Sequence, residues 1–103
     1  MNTVLLIDEE MKELAIEYLE TRRREIKLIE ESLSKKDLSK IATIAHNMKG
    51  VAESYGFPEL TRLGSEMERA SIARDHDLTR KLLDDIRSYV ATVELKFARI
   101  GAA

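Results

Sequence analysis

DLSKIATIAHNMKGVAESYGFPEL, residues 37–60, decides the fold. Leu38, Ile41, Ala45, Met48, Ala52 and Tyr55 recur at three- and four-residue intervals, which makes one stripe of an α-helix apolar. Asp37 stands where a side-chain oxygen can cap the first turn. Gly56 follows the last periodic residue as a helix-stopping glycine, and Pro58 suits the first turn of the next helix. A periodic helix, a tight stop and a second helix predict an antiparallel helical hairpin.

The same reading extends outward in both directions. Before the hairpin, Met11, Leu14, Tyr18, Arg22, Ile26, Ile29 and Leu33 form a helical stripe from about Glu9 to Leu33, with Arg22 its one polar break. Asp8 is a candidate N-cap, and Ser34-Lys35-Lys36-Asp37 is a polar connection. After the hairpin, Leu60, Leu63, Met67 and Ala70 mark the third helix. Asp75-His76-Asp77 makes a turn with Asp77 as the expected cap, and Leu78, Leu82, Ile86, Val90, Val93, Phe97 and Ile100 mark the fourth helix.

Short loops between amphipathic helices imply antiparallel neighbours, so the expected fold is all-α, an up-down-up-down four-helix bundle formed by residues 1–103 as a single domain. The run Val4-Leu5-Leu6-Ile7 is expected to pack as a short N-terminal helical extension. It lacks a basic flank and is too short for a signal peptide or a membrane span, which points to a soluble cytoplasmic protein.

Composition narrows the function. Cysteine is absent from the 103 residues, which excludes thiol chemistry, disulfides and cysteine metal sites. With 17 basic and 19 acidic residues, the net charge of −2 gives no reason to expect nucleic acid as a partner. Arg22-Arg23-Arg24 sits among Glu17, Glu20, Glu25, Glu30 and Glu31, so intrahelical ion pairing explains it better than a phosphate patch. His76 lies in a polar turn and reads as a solvated loop residue, and neither histidine has metal-ligand spacing with a carboxylate pair.

His46 is different. At roughly 100° per residue, Ala42, Lys49, Gly50 and Glu53 fall within about 60° of it, while the apolar stripe is centred roughly 150° away. An imidazole on the solvent face of a mid-helix turn offers a nucleophilic nitrogen near neutral pH. Lys49 adds a cation for incoming phosphoryl oxygens, and Gly50 costs about 1 kcal/mol in a helix interior relative to alanine. That cost implies close approach, either by a partner or by a neighbouring helix. Across the hairpin, His46 lies ten residues before Gly56 and Glu68 twelve after it, so the two face each other. A carboxylate accepting Nδ1–H would leave Nε2 free to attack, while also favouring the protonated ring.

His46-x-x-Lys49-Gly50, then Gly56, Leu60 and Met67-Glu68, resembles the signature of histidine-containing phosphotransfer domains, and the resemblance covers the whole chain. It implies a phosphorelay protein in which His46 is the phosphoacceptor, Lys49 stabilises the phosphoryl group and Glu68 orients the ring. Many relatives carry glutamine at the place of Glu68, and glutamate there resembles the phosphotransfer domain of chemotaxis kinases. By the same resemblance Gly50 leaves room for a docking receiver domain, on a surface completed by Ser39, Ala42, Thr43, Glu53, Gly64 and Ser65. The implied partners are a response-regulator receiver domain and a sensor or hybrid histidine kinase. No cofactor is expected on this chain, since the magnesium ion would belong to the receiver.

Nothing in the chain resembles an ATP-binding lid or a phosphate loop, so a carrier, not an enzyme, is expected. A non-phosphorylated helical adaptor for a receiver is the alternative. The dimerising histidine hairpin of a sensor kinase fits less well, because Asn47 stands where an acidic residue usually follows. Four helices that close their own core point to a monomer.

Overall fold

The computed structural model describes residues 3–99. Its element order is β1 (Val4–Asp8), a 3-10 turn (Glu9–Met11), α1 (Lys12–Ser34), α2 (Leu38–Tyr55), α3 (Pro58–Ile72), α4 (His76–Thr92) and β2 (Glu94–Ala98). The helices pack in a ring, α1 on α2 and α4, α3 on α2 and α4, as the antiparallel bundle requires. Ile29, Ile41, Met48, Phe57, Leu60, Met67 and Ile86 are fully enclosed and form the shared core.

The hairpin is built as its sequence indicates. Asp37 caps α2 by accepting from the Lys40 amide at 3.2 Å. Gly56 takes a left-handed conformation, φ 77°, and the Phe57 amide donates back to the Ala52 carbonyl at 2.9 Å. This closes the orphan carbonyls of the helix end and drops Phe57 into the core. Pro58 then opens α3, where its missing N–H costs nothing.

The other two connections repeat one device without glycine. Lys36 (φ 58°) and Arg74 (φ 59°) adopt the left-handed conformation, and the next residue, Asp37 or Asp75, donates its amide back to the ending helix. Each aspartate then caps the following helix. Asp75, not Asp77, is therefore the cap of α4, accepting from the Leu78 amide at 3.1 Å, and His76 is the first residue of that helix.

The expected N-terminal helical extension is instead a strand. β1 pairs in parallel with β2, Val4 beside Glu94 through Asp8 beside Ala98. Leu5, Ile7, Leu95 and Phe97 turn toward the bundle, whereas Val4 and Leu6 face outward. The fourth helix correspondingly ends at Thr92, short of the expected continuation through Val93 and Phe97; Ile100 lies outside the described residues. The segment 93–98 has both a helical and an alternating pattern, and pairing with β1 gives its backbone partners that an overhanging helix would lack. Asp8 caps only the 3-10 turn, accepting from the Glu10 amide at 3.0 Å.

Two stripe positions, Leu14 and Leu78, prove exposed. Arg22 takes the opposite course and is buried, 5% exposed, over the Tyr18 ring and paired with Glu25. The ion pairing expected of the arginine run thus exists at Arg22, but inside the bundle.

Candidate functional site

The site forms where α3 crosses the middle of α2. His46 projects from α2 with 63% of its side chain exposed, opposite the buried row Ile41, Ala45, Met48 and Ala52. Glu68 reaches across from α3, with Oε2 2.8 Å from His46 Nδ1. The Lys49 ammonium, one turn after His46, donates to the other oxygen, Oε1, at 3.3 Å. One carboxylate thereby holds both α2 side chains.

Glu68 is held as an anion. Burial pushes its carboxyl up, but hydrogen bonds and positive charge from Lys49 and His46 outweigh this and keep it below the ordinary value of 4.5. An ionised carboxylate can only accept, so its contact with a neutral ring requires the proton on Nδ1. Nε2 is then left with its lone pair. The arrangement offers an exposed nucleophilic nitrogen, a fixed ring and an adjacent ammonium.

The surrounding residues separate into two groups. Ser39, Thr43, Gly50 and Glu53 are exposed, and Ala42 and Ser65 are half-buried around the same helix crossing. The Thr43 hydroxyl donates to the Ser39 carbonyl at 3.3 Å, and the Ser65 hydroxyl accepts from Arg69 at 3.0 Å. At Gly50 an added β-carbon would meet nothing within 4 Å, so this glycine does not serve helix packing. Gly64 does. It is buried in the α2–α3 seam rather than presented to a partner, because its face of α3 lies directly on the α2 backbone.

A concave surface also adjoins His46 on the side toward α1. Asn47, Gly50, Val51, Ser54 and Tyr55 line it with the histidine. Val51 and Tyr55 also border a second depression, against Leu14, Tyr18 and Arg22 of α1. Sequence phasing assigned Tyr55 to the core and passed over Asn47, Val51 and Ser54. The available signal was the run 47, 51 and 54, which shares a helix face next to that of His46.

The family model described as the Hpt domain matches residues 13–96, which takes in α2, α3, α4, all of α1 but its first residue, and every residue of the site. Searches of curated proteins and of solved structures returned no match.

Proposed function

The chain belongs to the Hpt domain family, a family of phosphoryl-carrier modules of two-component signalling, and from that premise we propose that it is a phosphorelay intermediate with His46 as the acceptor. The observation that carries this reading is the exposed imidazole held through Nδ1 by Glu68, with Lys49 beside it.

In the proposed reaction, Nε2 of neutral His46 attacks the phosphorus of a receiver phosphoaspartate in line. The N–P bond forms as the acyl P–O bond breaks, and the aspartate carboxylate leaves. No proton moves: Nδ1 keeps its hydrogen, and the ring acquires the positive charge that Glu68 faces. Lys49 lies one turn away to neutralise the transferred oxygens. Such a transfer needs positioning and charge more than covalent assistance. The reverse attack, by another receiver aspartate, returns the imidazole to its starting form. Magnesium and the acidic pocket are supplied by the receiver, and a sensor or hybrid kinase supplies the relay.

The receiver docks over Gly50, where there is room for a backbone, and extends along Val51 and Tyr55 toward α1. Ser39, Ala42, Thr43, Glu53 and Ser65 complete the same surface around His46. No described helix is long and apolar enough to cross a membrane. The reading implies a monomer working in the cytoplasm with its partners.

Incubation with a phosphorylated receiver tests the assignment. Wild type is expected to gain an acid-labile, base-stable label that His46→Gln does not. Equal labelling of the two proteins would show that His46 is not the acceptor, and absence of label from both would favour the adaptor alternative.

A further inference from the structure

The chain has two glycines inside helices near the site, and they do opposite things. A β-carbon at position 50 would meet open space. One at position 64 would stand 3.1 Å from the Lys49 backbone nitrogen, 3.2 Å from the Ala45 carbonyl oxygen and 3.3 Å from the Lys49 α-carbon. These atoms belong to the turn of α2 that carries His46 and Lys49. The Ala45 carbonyl and the Lys49 amide close one backbone hydrogen bond of that turn, so neither can step aside without breaking the helix ladder.

Glu68 is one turn beyond Gly64 on the same face of α3. Its two contacts differ in slack. The His46 contact is short, 2.8 Å, whereas the Lys49 contact is already 3.3 Å, near the outer end of the hydrogen-bond range. A few tenths of an ångström of helix separation removes the second contact and lengthens the first.

We propose that Gly64 is a positioning residue: its missing side chain lets α3 seat on the Ala45–Lys49 turn, and this separation allows the Glu68 carboxylate to hold His46 and Lys49 together. The inference rests on the reading of His46 as phosphoacceptor and deepens it, moving Gly64 from the docking surface to the support beneath the site. A methyl group at position 64 acts at a distance, through the carboxylate, without touching the histidine.

The test is Gly64→Ala, followed by carboxyl 13C NMR titration of Glu68 and by the rate of transfer from a phosphorylated receiver. The Glu68 midpoint is expected to rise toward the ordinary glutamate value, and the rate to fall roughly tenfold. In a Glu68→Gln background, Gly64→Ala should cause no further loss of rate, because the group it displaces is gone. A folded Gly64→Ala protein with an unmoved Glu68 titration overturns the positioning role. Wild type that takes no label overturns the acceptor reading instead, and the titration still decides the role of Gly64. Should Gly64→Ala not fold, Glu68→Asp takes its place, withdrawing the carboxylate by one methylene at the native separation. Loss of both the depressed titration and the transfer rate supports the inference. Retention of both overturns it.

Discussion

Glu68 Oε2 lies 2.8 Å from His46 Nδ1, so the exposed imidazole is held by a residue of another helix. Its second oxygen holds Lys49, which makes the carboxylate the junction of the site. Glu68→Ala is expected to slow phosphotransfer on the order of 10²-fold, the scale of a misplaced reacting group. Lys49→Ala should slow it about tenfold, since a half-buried ammonium stabilises less than a fully enclosed donor. Rapid-quench transfer assays measure both, and unchanged rates would remove the assigned roles. The folded Glu68 value lies below the unfolded value near 4.5, so its contribution to stability is present above that pH and is lost as pH falls through the folded value. Chemical denaturation of wild type and Glu68→Gln should therefore differ most above pH 4.5 and converge in acid.

Gly50 separates stability from docking. A side chain there meets open space, and replacing a mid-helix glycine removes a conformational cost. Gly50→Ala should stabilise the bundle by about 0.5–1 kcal/mol. Gly50→Leu should remain folded yet weaken receiver binding at least about tenfold, or about 1.4 kcal/mol. Thermal melts and binding isotherms read the two effects separately. A gain in stability with unimpaired binding would sink the docking role.

The bundle, the hairpin at Gly56 and the facing of His46 and Glu68 were legible because each follows from local spacing. The β1–β2 pair was not, because Val4 and Glu94 meet only after the helices have brought distant segments together. Residues 93–98 carry both periodicities, and tertiary pairing chooses between them. The two helix glycines look alike in sequence. Which one packs depends on how α3 is rotated against α2, and spacing along a single helix does not encode that rotation. Burial of Arg22 was hidden for a related reason: Tyr18 covers it on one side, in a layer that Tyr55 and Phe57 complete from elsewhere in the chain.

The concave surface toward α1 predicts which side of His46 the receiver covers. Val51 is partly exposed and borders both depressions, so Val51→Glu places a charge in the middle of this surface. Receiver affinity should fall about tenfold or more, with little change in thermal midpoint. Thr43→Glu, one turn before His46 and off this surface, should have a smaller effect. Equal losses would place the centre of docking on His46 itself, and a larger loss at Thr43 would shift it toward the start of α2.

Arg74 offers a stability test remote from the site. Its left-handed conformation, φ 59°, costs a side-chain-bearing residue about 1 kcal/mol that glycine avoids. Glycine also gains freedom in the unfolded chain, which offsets part of the benefit. Arg74→Gly should therefore stabilise by about 0.5 kcal/mol and raise the melting midpoint by a few degrees. A lower midpoint would mean that contacts of the Arg74 side chain outweigh the backbone cost.

Among the described residues Arg22 is the buried charge, and its removal should be among the costliest single changes. It lies 4.4 Å from the centre of the Tyr18 ring, pairs with Glu25 and leaves Nε and Nη1 without partners. Burial pushes the Glu25 carboxyl above 4.5, and Arg22 is what limits the rise. For a carboxyl raised on folding, the stabilising contribution is present below the unfolded value and is lost as pH rises through the folded one. Arg22→Met raises the folded value further, so its penalty is largest at neutral pH, about 3 kcal/mol, and shrinks in acid as Glu25 takes up its proton. Combining it with Glu25→Leu should recover most of the loss, because an apolar pair avoids the desolvation that two charges incur. Urea unfolding of the single and double variants, at neutral pH and below 4.5, measures this directly. If the single variant loses less than about 1 kcal/mol, or the second change recovers nothing, the pair is not what holds these groups inside the bundle.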